Sequence, residues 1–347
     1  MMNKIYIVAE IGCNHNGDYD LAKKMVDEAK NAGVCAVKFQ TFKAELLISK
    51  IAPKAEYQIK ETGNTESQLE MTKKLELSYE SFTKLEEYAK SLGLDVFSTP
   101  FDMDSVDFLI SRKQKMWKIP SGELLNLPYL EKIAKIPDDE KEIIISTGMA
   151  TLDEIKLALA VFKINNVPSN KITILHCNTE YPTPYEDVNL NAIRYLKNKF
   201  PEYKIGFSDH SKGYFAAVAS VPYGITFIEK HFTLDKNLPG PDHKASVTPE
   251  ELTLLCQGIR AVEKCMGQEE KIVTNSERKN KIVARKSIVA KMNICKGDIF
   301  TTENITTKRP GNGISPMAWY DILGKTAESN FLEDQLIEHS DFKAQEI

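Results

Sequence analysis

The chain has 347 residues, 42% of them hydrophobic and 27% charged, with a formal net charge of -4 and a pI near 6.0. That composition predicts one large globular domain plus a small one and lacks the basic footprint of a nucleic-acid binder. The opening apolar run Ile5–Ala9 is far too short to span a membrane, and no later stretch approaches that length. The six cysteines form no CxxC pair, and four sit in apolar or helical patterns. This predicts reduced thiols and a cytoplasmic setting.

Eight strand candidates come first: 5–12, 36–42, 95–101, 116–121, 142–149, 172–179, 204–210 and 225–232. They are rich in Ile, Val and Phe and nearly continuous in apolar residues at their starts, as suits strands buried on both faces of a parallel sheet. Helical patterns separate them. Asp18 is placed to cap a helix with Leu21, Met25 and Ala29 on one face and Gly33 as its stop. Ser78 opens a second, and Pro128 sits in the first turn of a third that runs to Ile136. Thr151 with Glu154, and Thr248 with Glu251, make capping boxes before two more. Shorter helices fit 104–112, 190–200 and 213–223. Eight strands alternating with eight helices predict a (β/α)8 TIM barrel over residues 1–267. The competing doubly wound sheet lacks its GxGxxG after the first strand.

Residues 43–77 are too long for an ordinary βα loop. They carry Tyr57, Asn64 and a predicted short helix near 67–75, and would form a lid or specificity loop. Residues 268–282 turn charged and lose aromatics, which reads as a linker. Residues 283–347 resume with short β-like runs at 287–290, 299–300 and 305–308, which predicts a small, mostly β domain.

In a barrel the chemistry sits at the C-terminal ends of the strands. In chain order those ends carry Glu10, Asn14 and His15; Lys38 and Gln40; Ser98 and Thr99; Lys118, Ser121 and Glu123; Ser146 and Thr147. The sixth carries His176, Asn178, Thr179 and Tyr181. The last two strands carry Ser208 with His210 and Glu229 with His231, followed by Asp242 and His243. Two imidazoles on neighbouring strand ends can reach one metal ion; two buried, hydrogen-bonded histidines are the plainer alternative. Lys38 and Lys118 among hydroxyls suit a phosphate or carboxylate clamp, because a buried lysine without an anion is costly. Their pairing with Glu10 or Glu123, or a Schiff-base role, stays open beside it.

These residues stand in motifs: Glu10-Ile-Gly-x-Asn-His-x-Gly17, Val37-Lys-Phe-Gln-Thr41, Ser98-Thr-Pro-Phe101, Lys118-Ile-Pro-Ser-Gly-Glu123 and Ser146-Thr-Gly-Met149. Tyr181-Pro-Thr-Pro184, Ser208-Asp-His210, Glu229-Lys-His-Phe-Thr233, Gly240-Pro-Asp242 and Lys308-Arg-Pro-Gly-Asn-Gly313 follow. In this order, over essentially the whole chain, they resemble the sialic acid synthases, which condense phosphoenolpyruvate with an N-acetylated amino sugar. The resemblance implies a TIM barrel followed by a C-terminal domain similar to type III antifreeze protein (SAF-like), swapped across a homodimer. It implies a divalent metal, Mn or Mg, on His210 and His231. It also implies phosphoenolpyruvate binding by Lys38, Thr99, Lys118, Ser121 and Ser208. Glu10, Gln40, Glu123, Tyr181 and Asp242 would surround the metal and sugar, and Arg309 would reach the neighbour's site. Asn64 and Thr179 join the substrate-binding candidates, and Glu10, Gln40, Glu123 and His231 the catalytic ones. Two departures bear on the sugar. Some members carry His where Phe39 and Phe42 stand, and Asn at the position of Thr179. The sugar is therefore N-acetylmannosamine, giving N-acetylneuraminate, or a 2,4-diacetamido-2,4,6-trideoxy-hexose, giving N,N'-diacetyllegionaminate. A Schiff-base aldolase and a non-catalytic sugar-binding barrel are the readings from other classes.

Overall fold

A computed structural model describes residues 4–137 and 141–341. The fold separates into two compact units, one ending at Gly267 and one beginning at Gln268.

The first unit alternates strands and helices. β1 (Tyr6–Gly12), α1 (Tyr19–Ala32) and β2 (Ala36–Thr41) come first. The long insertion then folds as three short helices, α2 (Ala44–Leu47), α3 (Glu56–Thr62) and α4 (Gln68–Lys73). The sequence pattern located only α4, which Ser67 caps in a box with Glu70. The other two lack a side-chain cap hydrogen bond and have no long apolar period to give them away. After these come α5 (Tyr79–Ser91), β3 (Asp95–Pro100), α6 (Met103–Ser111), β4 (Met116–Ile119), α7 (Leu127–Ala134), β5 (Glu142–Ser146) and α8 (Leu152–Ile164). β6 (Ile172–His176), α9 (Asn191–Lys199), β7 (Lys204–Asp209), α10 (Phe215–Ala219), β8 (Phe227–His231) and α11 (Pro249–Cys265) complete the unit. The expected caps form. Asp18 accepts from the amides of Asp20 and Leu21, and Gly33 closes α1 at φ 87°. Thr151 and Thr248 make their boxes.

The eight strands are parallel in the order β3-β2-β1-β8-β7-β6-β5-β4. At the seam between β3 and β4 the Gln114 amide bridges to both the N–H and the carbonyl of Ser98. This is the eight-stranded barrel that the βα alternation predicts.

Burial divides along the period of two. The barrel interior is plugged at one end by Val8, Ala36, Phe97, Ile144, Leu175 and Phe227. Two residues on, the same inward faces carry Glu10, Lys38, Thr99, Ser146 and Glu229, because successive side chains of a strand alternate sides. The outward faces pack against the helices in a larger core that includes Ile7, Phe39, Trp117, Ile145, Ile174 and Ile228. Gly206 belongs to the plug: a Cβ there would lie 2.5 Å from Leu175 and 2.7 Å from the Phe227 carbonyl.

The first helix of the second unit is α12 (Asn275–Ala284), which takes up the second half of the stretch expected as a linker. A Thr274–Glu277 box starts this helix, and its residues are exposed. Its composition is that of a solvated helix, which a reading based on charge alone cannot tell from a linker. β9 (Ser287–Ala290) pairs antiparallel with β10 (Ile305–Lys308), and α13 (Trp319–Ile322) follows. Ile288, Ile294, Phe300, Ile305, Phe331 and Ile337 form the unit's own small core.

Candidate active site

The strand ends hold two joined cavities. The inner one, about 180 Å³, is lined by Glu10, Lys38, Thr99, Lys118, Ser121, Ser146, Thr179, Ser208, His210 and Glu229 among others. The outer one, about 410 Å³, is lined by Cys13, Phe42, Leu47, Tyr57, Gln58, Gln68, Met71, Leu75, Glu123 and Asp242 among others. Gln40, Phe101, Gly122, Tyr181 and His231 line both. Those five mark the passage between them.

The inner cavity is a network of buried charge. Lys38 Nζ stands 2.5 Å from Glu10 and 3.7 Å from Glu229, and donates to Thr99 Oγ1 at 3.0 Å. Lys118 Nζ lies 3.4 Å from the other oxygen of Glu229, to which Ser208 Oγ donates at 3.0 Å. Gln40 Nε2 donates to Glu10 at 2.9 Å. Gly12 lets that pair close: its φ is +55°, and a Cβ would stand 3.0 Å from Glu10 Oε1 and 3.1 Å from Gln40 Nε2. Burial pushes Glu10 up to about 7, helped by Glu229 and opposed by the Lys38 ammonium. Burial would also raise Glu229, yet Lys118 and Lys38 outweigh it and bring that carboxyl down to about 2. Glu229 therefore remains the anion of the set. Because burial pushes Glu10 toward its neutral form, the carboxylates do not fully neutralise the two lysines, an arrangement suited to an anionic ligand.

The lysine pairing weighed from the sequence holds for Lys38 with Glu10, but Lys118 pairs with Glu229 rather than Glu123. Glu123 instead faces the outer cavity and accepts from Asn126 at 2.6 Å. Glu229 is the residue the sequence reading left without a role. Its position two before His231 on one strand was the available signal, since that spacing puts both on the inner face.

His210 and His231 approach with ring centroids 5.2 Å apart. His210 Nδ1 meets the Asn178 carbonyl, which can only accept. Nδ1 therefore carries the proton and Nε2 presents a lone pair, beside Tyr181 OH at 3.4 Å and Ser208 Oγ at 3.2 Å. His231 Nδ1 is buried without a hydrogen-bond partner, 3.9 Å from an Asp242 oxygen. Burial holds His210 near 4 and His231 well below the usual imidazole range, so both rings are neutral at pH 7. Burial lifts Asp242 to about 6, and Cys13 Sγ donates to it at 3.6 Å. Two neutral imidazoles, His231 with an unpartnered Nδ1 and His210 with an Nε2 lone pair that faces two hydroxyls, fit as ligands of a divalent ion. Among the described residues no group of three or more His, Cys, Asp or Glu side chains could hold an ion. An ion on this pair would thus take its remaining oxygens from substrate or water.

Other expected residues lie elsewhere. Asn64 is exposed and lines neither cavity: it follows Gly63 in the turn after α3, beyond the helix face that looks inward. Ser98 points outward and its hydroxyl is hydrogen-bonded to that of Thr41. His15 packs its ring near Phe39, His176 meets the Val188 carbonyl, and His243 meets Thr233. His15 and His243 are buried and His176 is half-buried, and each has a ring nitrogen in a hydrogen bond, that of His15 accepting from the Gly17 N–H. Arg309 is an exposed residue of the second unit. Of the two aromatic departures, Phe39 is packed in the outward core and only Phe42 lines a cavity. Tyr57, carried by α3, packs at a tilt against Tyr181 with ring centroids 5.2 Å apart, so the insertion forms a wall of the outer cavity. All six cysteines are free. No helix among the described residues is long and apolar enough to cross a membrane.

Comparison with known families matches the NeuB family over residues 25–271 and the SAF domain over residues 285–343. The chain belongs to the NeuB family. Among relatives of this NeuB chain, the N,N'-diacetyllegionaminic acid synthase of Campylobacter jejuni is 52% identical, covering 97% of this chain and 99% of its own. The enzyme of the same name from Legionella pneumophila is 44% identical, covering 94% and 91%. Among solved structures, the N-acetylneuraminic acid synthetase of Leptospira borgpetersenii, in complex with citrate, superposes with a TM-score of 0.69 at 32% identity. It covers 80% of this chain and 90% of its own.

Proposed function

We propose that this NeuB chain condenses phosphoenolpyruvate with a 2,4-diacetamido-2,4,6-trideoxy-hexose and water, giving N,N'-diacetyllegionaminate and phosphate. The observation that carries the reading is the pair of cavities joined at Gln40, Tyr181 and His231. The inner one has the lysines and hydroxyls a small, highly charged acid needs. The outer one has a neutral wall of Phe42, Leu47, Met71 and Leu75, which suits a sugar ending in a methyl group better than one ending in a hydroxymethyl. The two legionaminic acid synthases among the relatives point the same way. N-acetylmannosamine is the second candidate, favoured by the synthetase of Leptospira.

In this reading Lys38, Thr99, Lys118, Ser121, Thr179 and Ser208 hold phosphate and carboxylate. The methylene carbon of phosphoenolpyruvate then points at the passage, where the open-chain sugar presents its aldehyde. A carbon–carbon bond forms between the two. The cationic ester carbon left behind is trapped by water, and phosphate leaves with cleavage of its C–O bond. Glu10, whose carboxyl burial makes more basic than an ordinary one, is suited to take the proton from that water. Asp242, raised by burial, is placed beside His231 to deliver one at the aldehyde oxygen. A Mn or Mg ion held by His210 and His231 would supply Lewis-acid polarisation at that oxygen. Tyr181 orients His210, and Gln40 orients Glu10. The test is kcat/KM for each sugar. A preference of about tenfold or more for the trideoxy sugar is expected, in line with the 1–3 kcal/mol that one hydroxyl or methyl difference is worth in an apolar site. A preference for N-acetylmannosamine would replace this sugar with the other, and failure to release phosphate with either would sink the synthase reading.

We also propose a homodimer in which Arg309 completes the partner's sugar site. Support comes from the SAF domain match and from the small size of the second unit, which makes an interface valuable. Arg309→Ala and His231→Ala should each be nearly inactive. Co-refolded, they should recover a fraction of the wild-type rate, because one site per mixed dimer is intact. No recovery in mixed dimers confirmed by mass would place Arg309 outside the partner's site.

A further inference from the structure

We infer that the buried ion pair Asp209–Lys230 is a positioning clamp that sets the separation of His210 and His231. The inference rests on the paired role proposed above for those imidazoles. The residues alternate with the inner network along the same strands. Ser208 and His210 face inward and Asp209 faces out; Glu229 and His231 face inward and Lys230 faces out. Outward positions on these strands otherwise hold residues such as Phe207 and Ile228, packed under the helices. Asp209 is 0% and Lys230 1% exposed, and their charged atoms stand 2.9 Å apart.

Such a pair adds little net stability. Desolvating two charges consumes most of the attraction, and apolar replacements of equal volume are often neutral or better. Specificity of arrangement is the remaining use, and the contacts show which arrangement. The ladder between β7 and β8 ends at Asp209 opposite Lys230, one residue short of His210. From there the side chains take over. Asp209 Oδ1 accepts from the N–H of Ser211 at 2.8 Å and from its hydroxyl at 2.7 Å. Lys230 Nζ donates to the Ser211 carbonyl. The ammonium next to His231 thus grips both residues that flank His210. His231 is separately fixed to β1, where Phe232 N–H donates to the Glu10 carbonyl at 2.8 Å. On the outer side of the sheet the clamp therefore ties the residues that flank His210 to the residue next to His231, as Ser208 and Glu229 link the same strands on the inner side.

The test is the paired apolar variant Asp209→Leu/Lys230→Met in the full chain, with Asp209→Asn as a milder companion. Melting temperature, Mn2+ affinity by calorimetry without substrates, and steady-state kinetics are read together. A clamp predicts a folded double variant with unchanged or higher melting temperature. Its Mn2+ affinity and its kcat should each fall about 10–100-fold, the usual loss when support of a metal ligand is removed. KM for phosphoenolpyruvate should stay within about twofold, because its holders lie on other strands or face inward. Should the double variant fail to fold, Asp209→Asn carries the same expectation at the lower end of the range. A folded variant with wild-type Mn2+ affinity and wild-type kcat overturns the clamp. A wild-type chain that takes up no Mn2+ fails the metal reading instead, and the kcat-against-KM split then decides the clamp by itself.

Discussion

His231→Ala is expected to abolish turnover while leaving the fold intact. His231 is a histidine that lines both cavities, so its loss removes a group from the passage where the proposed substrates would meet. Its Nδ1 has no hydrogen-bond partner to leave stranded, and its side chain faces a cavity that water can fill. The melting temperature should therefore change by only a few degrees. The rate should fall by about 10³-fold or more, since Lewis-acid assistance is worth several kcal/mol and each 1.36 kcal/mol is a factor of ten. EDTA should abolish wild-type activity and added Mn2+ restore it, while the variant responds to neither. A fully active His231→Ala chain would remove the metal assignment and return both rings to the status of buried histidines.

Truncating the two ends of the Lys118–Glu229 pair should give opposite signatures. Lys118→Ala removes a cation from the inner cavity. KM for phosphoenolpyruvate should rise about 10–100-fold, matching the 1.5–3 kcal/mol of a charge-assisted hydrogen bond, with little change in KM for the sugar. Stability should fall by less than in the Glu229 variant, because Glu229 keeps Lys38 at 3.7 Å and the Ser208 hydroxyl. Glu229→Ala does the reverse. It leaves Lys118 buried without its anion and Lys38 with Glu10 alone, and removing one partner of a buried pair costs about 3–5 kcal/mol. The variant should melt well below wild type and be selectively protected by phosphoenolpyruvate, whose phosphate replaces the lost charge. Saturating ligand at a hundred times its Kd contributes about 2.7 kcal/mol, enough to restore much of the loss. The checks are thermal melts with and without phosphoenolpyruvate and separate KM values for both substrates. Equal KM losses for both substrates in Lys118→Ala, or no ligand protection of Glu229→Ala, would argue against an anion clamp in the inner cavity.

The barrel is legible in the sequence, because buried parallel strands read as apolar runs, capped helices announce their starts, and the two alternate eight times. So are the residues that stand at the strand ends, since a period of two assigns each to a face: Lys38, Lys118, Ser208 and His231 come inward as that period requires. What faces them across the barrel was decided only by the closed structure. Glu229 meets Lys38 and Lys118 from β8, and strand periodicity carries no information about a partner several strands away. It likewise could not show that Lys230 would cross to Asp209 on the outer side, or that Tyr57 would bring α3 down onto Tyr181. Asn64 and α12 mark the same boundary from the other direction. In the turn after α3 and in the charged stretch after Gly267, no apolar periodicity ties the chain to a core, so local composition named the residues but not where they point. Side-chain direction there follows from what the surrounding chain packs against, and packing is a property of the fold as a whole.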